Sequence, residues 1–319
     1  MNRCDIQILR IHVGYPAITI IMPCDKEKIK AKFRDVVDKL SSDDAIIASM
    51  EAHFEVMLTT LVCPLAQQSI ALFINKYGAR CYHLPFHMQE LAVCDQTFKL
   101  DNIVARLNRL PRYWVLDCTA GMMKLYEGVE DFLIEVDKSH VVIDESGTLF
   151  VRKNHGSGLG DYFEQDRLPI CLIGSADDIY TFTMDSPFRE RVVAKVADVQ
   201  KVWPAMQKYF EKRLRDTLKK LNTMDAGVEY VTELRAILKE ARLGLVATLL
   251  FEDDYHLDAC EENVTRQVTV GDEICPFGYQ KISLIDQIIE AVCAKGGTLI
   301  VVPAGALQEY GRMVAIVRD

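Results

Sequence analysis

The sequence predicts an α/β protein built from more than one domain, and three observations predict it. Apolar runs of strand length alternate with amphipathic helical stretches, which is the signature of layered α/β architecture. The texture of the chain changes at Pro111, from mixed helix and strand to a run of strands. At 319 residues, half of them hydrophobic, the chain can bury two or three separate cores.

Taken in order, residues 6–22 read as one or two strands, IQILRIHV and AITIIMP, split by Gly14 and Pro16. Helices follow over Lys26–Leu40 and Asp43–Val62, with Ser41, Ser42 and Asp43 supplying a cap between them. SIALFINKYG, ARCYHLPF and QELAVCDQ are three short strands punctuated by Gly78 and Pro85, and they complete a first α/β domain over residues 1–110.

From Pro111 onward, RYWVLDCTAG, MMKLYEGV, DFLIEVD, HVVIDES and TLFVRKN read as strands turning at Gly121, Gly128 and Gly147. A glycine loop, HGSGLG at 155–160, interrupts them. PICLIGS is a buried strand, and a long helix starts near Pro187 with a kink where Trp203 meets Pro204. This segment, 111–224, is the expected second domain. The third, 225–319, reads helix Val228–Leu243, strand LGLVATLLF, a polar hairpin region over 252–280, then helix SLIDQIIEAVCAKGG. Gly296 and Gly297 close that helix, and strands TLIVVP and GRMVAIVRD follow.

The formal charge of −9 argues against broad nonspecific nucleic-acid affinity, DNA included, because such affinity needs Lys and Arg to displace counterions. It leaves room for a local basic surface. No apolar run approaches the ~20 residues that span a bilayer, and Arg10 and His12 break the N-terminus before a secretory core forms. The expectation is a cytoplasmic protein with no membrane partner. Ten cysteines stand singly, without a C-x-x-C pair, and most lie in apolar runs; they are expected to be buried free thiols rather than disulfides.

Several residue groups carry chemistry. In the loop at 154–161, Gly156 and Gly158 free the backbone to present N–H groups, and Arg152, Lys153 and His155 add positive charge. The loop reads either as a surface turn or as a contact to RNA. On the long helix, Val196, Val199, Trp203, Met206, Phe210, Leu214 and Leu221 form an apolar face. Lys201, Lys208, Lys212, Arg215 and Lys219 fall opposite it, either as a solvated face or as an edge for phosphates. Asp117, Glu127, Asp137 and Asp144 lie near strand ends, where converging carboxylates would hold Mg²⁺ for phosphodiester cleavage. Cys81, His83 and His87 are closely spaced but offer no fourth ligand, and they read as structural; no metal or other cofactor is expected.

LVATLLF, IIEAVCAKGGTLIVVP and GRMVAIVRD, in that order, resemble the C-terminal domain of class-1 peptide chain release factors and Pelota. RYWVLDCTAGMMKLYEGVEDFLIEVD resembles the start of that family's middle domain. YPAITIIMPCDKEK and IALFINKYGARCYHLP are similar to the divergent first domain of a bacterial branch of this archaeal and eukaryotic family. The resemblance implies a ribonuclease-H-like middle domain and a C-terminal α/β/α sandwich. It implies a ribosome or a tRNA-shaped RNA site as partner, and a translational GTPase docked on the C-terminal domain.

The family's Gly-Gly-Gln loop, whose glutamine directs water at the peptidyl-tRNA ester, has KNHGSGLGD in its place, and the Asn-Ile-Lys-Ser loop is absent. The resemblance therefore implies a non-enzymatic, ribosome-associated factor for stalling, rescue or hibernation. Val228–Asp319 holds eight Lys or Arg against fifteen Asp or Glu, a net −7, which suits a protein dock better than RNA. The competing readings are a Mg²⁺-dependent nuclease on the middle domain and a protein-interaction module that never meets a ribosome.

Overall fold

The computed structural model of the chain describes residues 1, 3–11, 14–63, 69–119, 124–136, 141–143, 149–151, 163–164, 166–222, 229–262, 264–265, 267–270 and 275–318. The fold is mixed α/β with several sheets. It divides into two units, Met1–Val104 with Arg112–Val199, and Ala105–Pro111 with Gln200–Asp319.

The first unit starts with helix α1 (Arg3–Ile11) and strand β1 (Ala17–Pro23). With β2 (Ser69–Asn75), β3 (Gly78–Leu84) and β4 (Leu91–Asp95), β1 makes an antiparallel sheet of order β3-β2-β1-β4. Side chains alternate along a strand, so Ile18, Ile20 and Met22 join Ile70, Leu72 and Ile74 on one face. Helices α2 (Lys26–Val37) and α3 (Asp44–Thr60) cover that face with Ile29, Phe33, Met50 and Phe54, and the rings of Phe33 and Phe54 stack at 3.9 Å. Each such burial contributes about 1.5–3 kcal/mol. Both helices start where a carboxylate meets unpaired N–H groups: Asp25 accepts from Glu27 and Lys28, and Asp43 accepts from Ala45 at 2.9 Å.

Two expectations fail in this stretch. The described part of IQILRIHV, through Ile11, lies in a helix, not a strand, because the buried positions Asp5, Ile6 and Leu9 follow a helical step rather than alternating. A further helix, α4 (Asp101–Arg109), lies in a segment where none was foreseen.

A second sheet in this unit has five strands in the order β11-β10-β5-β6-β7. Strands β5 (Arg112–Asp117), β6 (Lys124–Val129) and β7 (Phe132–Glu135) run antiparallel to one another. Strands β10 (Ile170–Ile173) and β11 (Val192–Val196) extend β5 in parallel, joined by helix α5 (Ala176–Asp185). Strands β8 (Val141–Ile143) and β9 (Leu149–Val151) form a separate antiparallel pair. Gly128 pairs with Tyr113, whose ring lies 2.3 Å from where a Cβ on Gly128 would stand; only glycine fits there.

The long helix does not begin near Pro187. A 3₁₀ turn (Arg189–Arg191) and β11 occupy that stretch, and helix α6 starts at Val202 and runs to Asn222. Its expected kink is absent: Pro204 falls in the first turn, where no helical bond uses its missing N–H.

In the second unit, β12 (Tyr230–Val231), β13 (Val246–Glu252), β17 (Thr298–Val302) and β18 (Met313–Val317) pair in the order β12-β18-β13-β17. The helix expected from Val228 is shorter: α7 spans Leu234–Leu243, capped by Glu233 at one end and by Gly244 at φ 80° at the other. With α8 (Leu284–Ala294) it covers the sheet face that carries Leu249, Phe251, Met313 and Ala315. Helix α6 covers the other face, where Leu214, Leu218 and Leu221 meet Leu250, Ile300, Val302 and Val314. Gly296, at φ 71°, ends α8 as the sequence suggests. Strands β14 (Asp258–Glu262), β15 (Val268–Val270) and β16 (Tyr279–Ser283) form a three-stranded antiparallel sheet of order β15-β14-β16 between β13 and α8 in the chain.

The all-thiol expectation is overturned by two disulfides, Cys24–Cys63 in the first unit and Cys260–Cys275 in the second. Their partners lie 39 and 15 residues apart, too far for a spacing rule, and chain folding brings each pair to Cα separations of 5.4 and 5.5 Å. Cys81, Cys94, Cys118, Cys171 and Cys293 keep their thiols. Each unit also carries one tryptophan, Trp114 on β5 and Trp203 on α6. Among the described residues no helix is long and apolar enough to cross a membrane.

Candidate functional site

Helix α6 places four of the expected cations in a line. Val202, Met206 and Leu221 are buried, which fixes the rotation of the helix. Lys208, Lys212, Arg215 and Lys219 then fall at steps of four, three and four residues on the exposed side. At 1.5 Å per residue the line is about 16 Å long. Lys201 is exposed in the 3₁₀ turn just before the helix. Glu211 and Asp216 flank the line, so it is a narrow basic strip rather than a broad patch. Exposed ammonium and guanidinium groups in such a line are able to displace counterions from a polyanion.

The nuclease carboxylates meet a different outcome. The β5–β6 register pairs Asp117 with Lys124 and Glu127 with Trp114, which puts the two carboxylates on opposite faces of the sheet. Asp117 accepts from the N–H and hydroxyl of Thr119. Glu127 is buried and accepts from Arg112 Nε at 2.8 Å, while Arg112 Nη2 donates to Asp166 at 2.6 Å. Trp114 Nε1 donates to the Asp166 carbonyl. Burial pushes the Glu127 carboxyl above its usual range, although Arg112 pulls it down. The pair does not converge on a common ion position. Asp137 and Asp144 lie outside the described residues, as do Arg152, Lys153, His155, Gly156 and Gly158 of the glycine loop.

Cys81 and His83 lie two residues apart on β3, on the same face. Burial pushes the Cys81 thiol to about 12 and lowers the His83 imidazole, whose enclosed Nδ1 meets no hydrogen-bond partner among the described residues. His87 lies beyond the strand end. Among the described residues no three His, Cys, Asp or Glu side chains gather as a metal ion requires.

Sequence reasoning missed the Arg112–Glu127–Asp166 cluster. Its one advance signal was an arginine opening the apolar run RYWVLD. It also missed Arg109, whose guanidinium donates to the carbonyls of Asp253 and Tyr255 and to Asp286 at 2.7 Å. Both arginines hold structure together. A shallow groove of about 550 Å³ lies among Arg242, Glu261, Gln287, Glu290, Ala291 and Ala294. Its buried carboxylate, Glu261, already accepts from Arg242 at 2.9 Å and from Gln280 and Gln287.

No protein-family model and no curated protein matches the sequence. Solved structures do align along the chain. The archaeal translation termination factor aRF1 is 12% identical, covers 100% of this chain and 99% of its own, and gives a TM-score of 0.27. Ribosome-bound archaeal Pelota, solved with ABCE1, is 12% identical over 99% of this chain and 94% of its own, with a TM-score of 0.35. Dom34 of S. cerevisiae, a translation termination-like factor of RNA quality control that interacts with Hbs1, is 12% identical over 95% and 94%, with a TM-score of 0.34.

Proposed function

We propose that this protein is a release-factor-like, ribosome-associated factor of the stalling, rescue or hibernation type that does not hydrolyse peptidyl-tRNA. The observation that carries the reading is the line Lys208–Lys212–Arg215–Lys219, held outward on α6 of a chain whose net charge is −9. Like charges on one helix face repel one another, and an acidic protein gains nothing in solubility from them; a polyanion neutralises them. The resemblance of the sequence to class-1 release factors names the polyanion as ribosomal or transfer RNA. KNHGSGLGD in place of a Gly-Gly-Gln loop supports the loss of hydrolysis. In this reading the three domains divide near residues 110 and 225, and the middle one, ribonuclease-H-like, enters a tRNA-shaped site. The acidic C-terminal domain docks a protein such as a translational GTPase. The cytoplasmic address rests on this reading alone.

The test is co-sedimentation of the full chain with ribosomes of its own cell across a salt series. Reversing Lys208, Lys212 and Arg215 to Glu should weaken binding and flatten the salt dependence by about one unit of slope per lost phosphate contact. Binding that ignores the triple reversal removes the helix from the reading. Peptide release from stop-codon ribosomes at a genuine factor's rate overturns the loss of hydrolysis.

A further inference from the structure

Strand β17, with the sequence TLIVV, forms one edge of the second unit's four-stranded sheet and has β13 as its neighbour there. It differs from the other sheet edges. Among the described strands, the edges β3, β4, β7, β11 and β16 carry Arg80, Asp95, Glu135, Lys195 and Lys281. The edges β8, β9, β12 and β15 are three residues or shorter. Charge and brevity keep a sheet edge from pairing with another chain. Over five residues, β17 has neither.

The edge is also open. Successive residues of a strand turn their N–H and C=O groups to opposite sides. The Val302 carbonyl accepts from Asp253 N–H at 3.0 Å, just past the end of β13, so Thr298, Ile300 and Val302 bond toward β13. Leu299 and Val301 therefore hold their N–H and C=O groups outward, and among the described residues nothing bonds to them there. Both are half-buried, whereas Leu249 and Phe251, opposite them on β13, are enclosed; the outer side of β17 reaches the surface. The opening is closed at both ends. Gly297 N–H donates to the Val292 carbonyl at 2.9 Å, while Pro303 has no N–H and its carbonyl accepts from Ala306 at 3.1 Å.

What fits this edge is a strand with two outward residues of its own, and β17 is such a strand. Laid antiparallel on a second β17 about a two-fold axis at Ile300, Leu299 faces Val301 of the second copy, and Val301 faces its Leu299. Each such pair exchanges two bonds, so all eight outward groups are taken up in four. Ile300 meets Ile300 and Thr298 meets Val302, with no charge in the ladder. The axis has no equal alternative. Centred on Leu299 it would set Val301 against Gly297, and centred on Val301 it would set Leu299 against Pro303; neither has an N–H to give.

We propose that the β17 edge is a self-association surface, on which two copies of this chain pair β17 to β17 in an isologous dimer. The pairing stands or falls independently of the ribosome contact.

The test is sedimentation velocity of the full chain over about a hundred-fold range of concentration. The dimer should grow with concentration and also with salt, which screens the −9 charge of each copy. Ribosome binding through α6 weakens with salt, so the two associations move in opposite directions. In the wild type, hydrogen exchange at the Leu299 and Val301 amides should slow at least ten-fold between dilute monomer and concentrated dimer. Ile300→Cys puts two thiols on the axis, with Cα atoms about 4.5 Å apart and within disulfide range. It should cross-link on mild oxidation. Thr298→Cys, about 13 Å along the strand from its own copy, should cross-link no more than wild type. Val301→Pro removes an outward N–H and leaves the bonds to β13 in place, so it should give a folded monomer. If it does not fold, the exchange and cross-linking results decide. A chain that stays monomeric throughout, or a dimer whose Leu299 and Val301 amides exchange as in the monomer, overturns the proposal. So does a Thr298→Cys cross-link equal to that of Ile300→Cys, or amide protection that arises only when another protein is added.

Discussion

Arg112 lies inside β5 with its guanidinium enclosed, held by Glu127 and Asp166 on one side of the sheet. Removing one member of such a cluster leaves buried charge unpaired, so Arg112→Met should cost about 3–5 kcal/mol, read as a lower urea midpoint. Replacing all three residues with apolar ones should recover much of that loss. Glu252 makes a pH-dependent case. Burial alone would raise its carboxyl, but Arg312 Nε at 2.7 Å and the N–H groups of Leu307 and Gly305 more than offset this, and the group titrates below the ordinary glutamate range. Its folded pKa is depressed, so its contribution is present above the unfolded value and is lost as pH falls through the folded one. Glu252→Gln should therefore be destabilising at neutral pH, with the gap to wild type narrowing below about pH 4. Urea titrations at pH 7 and pH 3 check the sign; a gap that widens in acid contradicts it.

At the scale of elements, the contact between Gly128 and the Tyr113 ring is the tightest test of how β5 and β6 are packed. Gly128→Ala should cost about 1–3 kcal/mol through overpacking, and shrinking Tyr113 to Leu in the same chain should return part of it. Elements with local signals were legible in the sequence: Asp43 caps α3 where its side chain meets a free N–H group, and Gly296 closes α8. IQILRIHV was not, because Ile6 and Ile8 suggest a strand while Ile6 and Leu9 suggest a helix, and so short a run cannot arbitrate. Helices α4 and α5 hide for the same reason, with nine and ten residues each. Register is set by pairing at a distance, so no reading of RYWVLD alone decides that Asp117 and Glu127 part company. The rotation of α6 was legible from buried Met206 and Leu221 against exposed Lys208, Lys212 and Arg215, but Val196 and Val199, read into the same apolar face, lie before the helix on β11 and in an exposed 3₁₀ turn.

The molecule as a whole consists of two units with separate hydrophobic clusters and one disulfide apiece. Closing loops of 39 and 15 residues removes unfolded-state entropy equivalent to about 4 and about 3 kcal/mol in the chain model. Cys24→Ser with Cys63→Ser should thus lower the stability of the first unit and leave the second in place, and the Cys260 and Cys275 pair should do the reverse. Glutathione opposes both bonds in a cytoplasm, and thiol counts in defined glutathione buffers measure how firmly each holds. The two tryptophans turn this division into light. Trp114 is enclosed and hydrogen-bonded to the Asp166 carbonyl, and Trp203 belongs to the other unit. With Trp203→Phe the remaining indole reports on the first unit only, and with Trp114→Phe on the second. A denaturant titration of each variant should then show emission moving to the red at its own midpoint. Reducing one disulfide should displace one colour change and leave the other where it was.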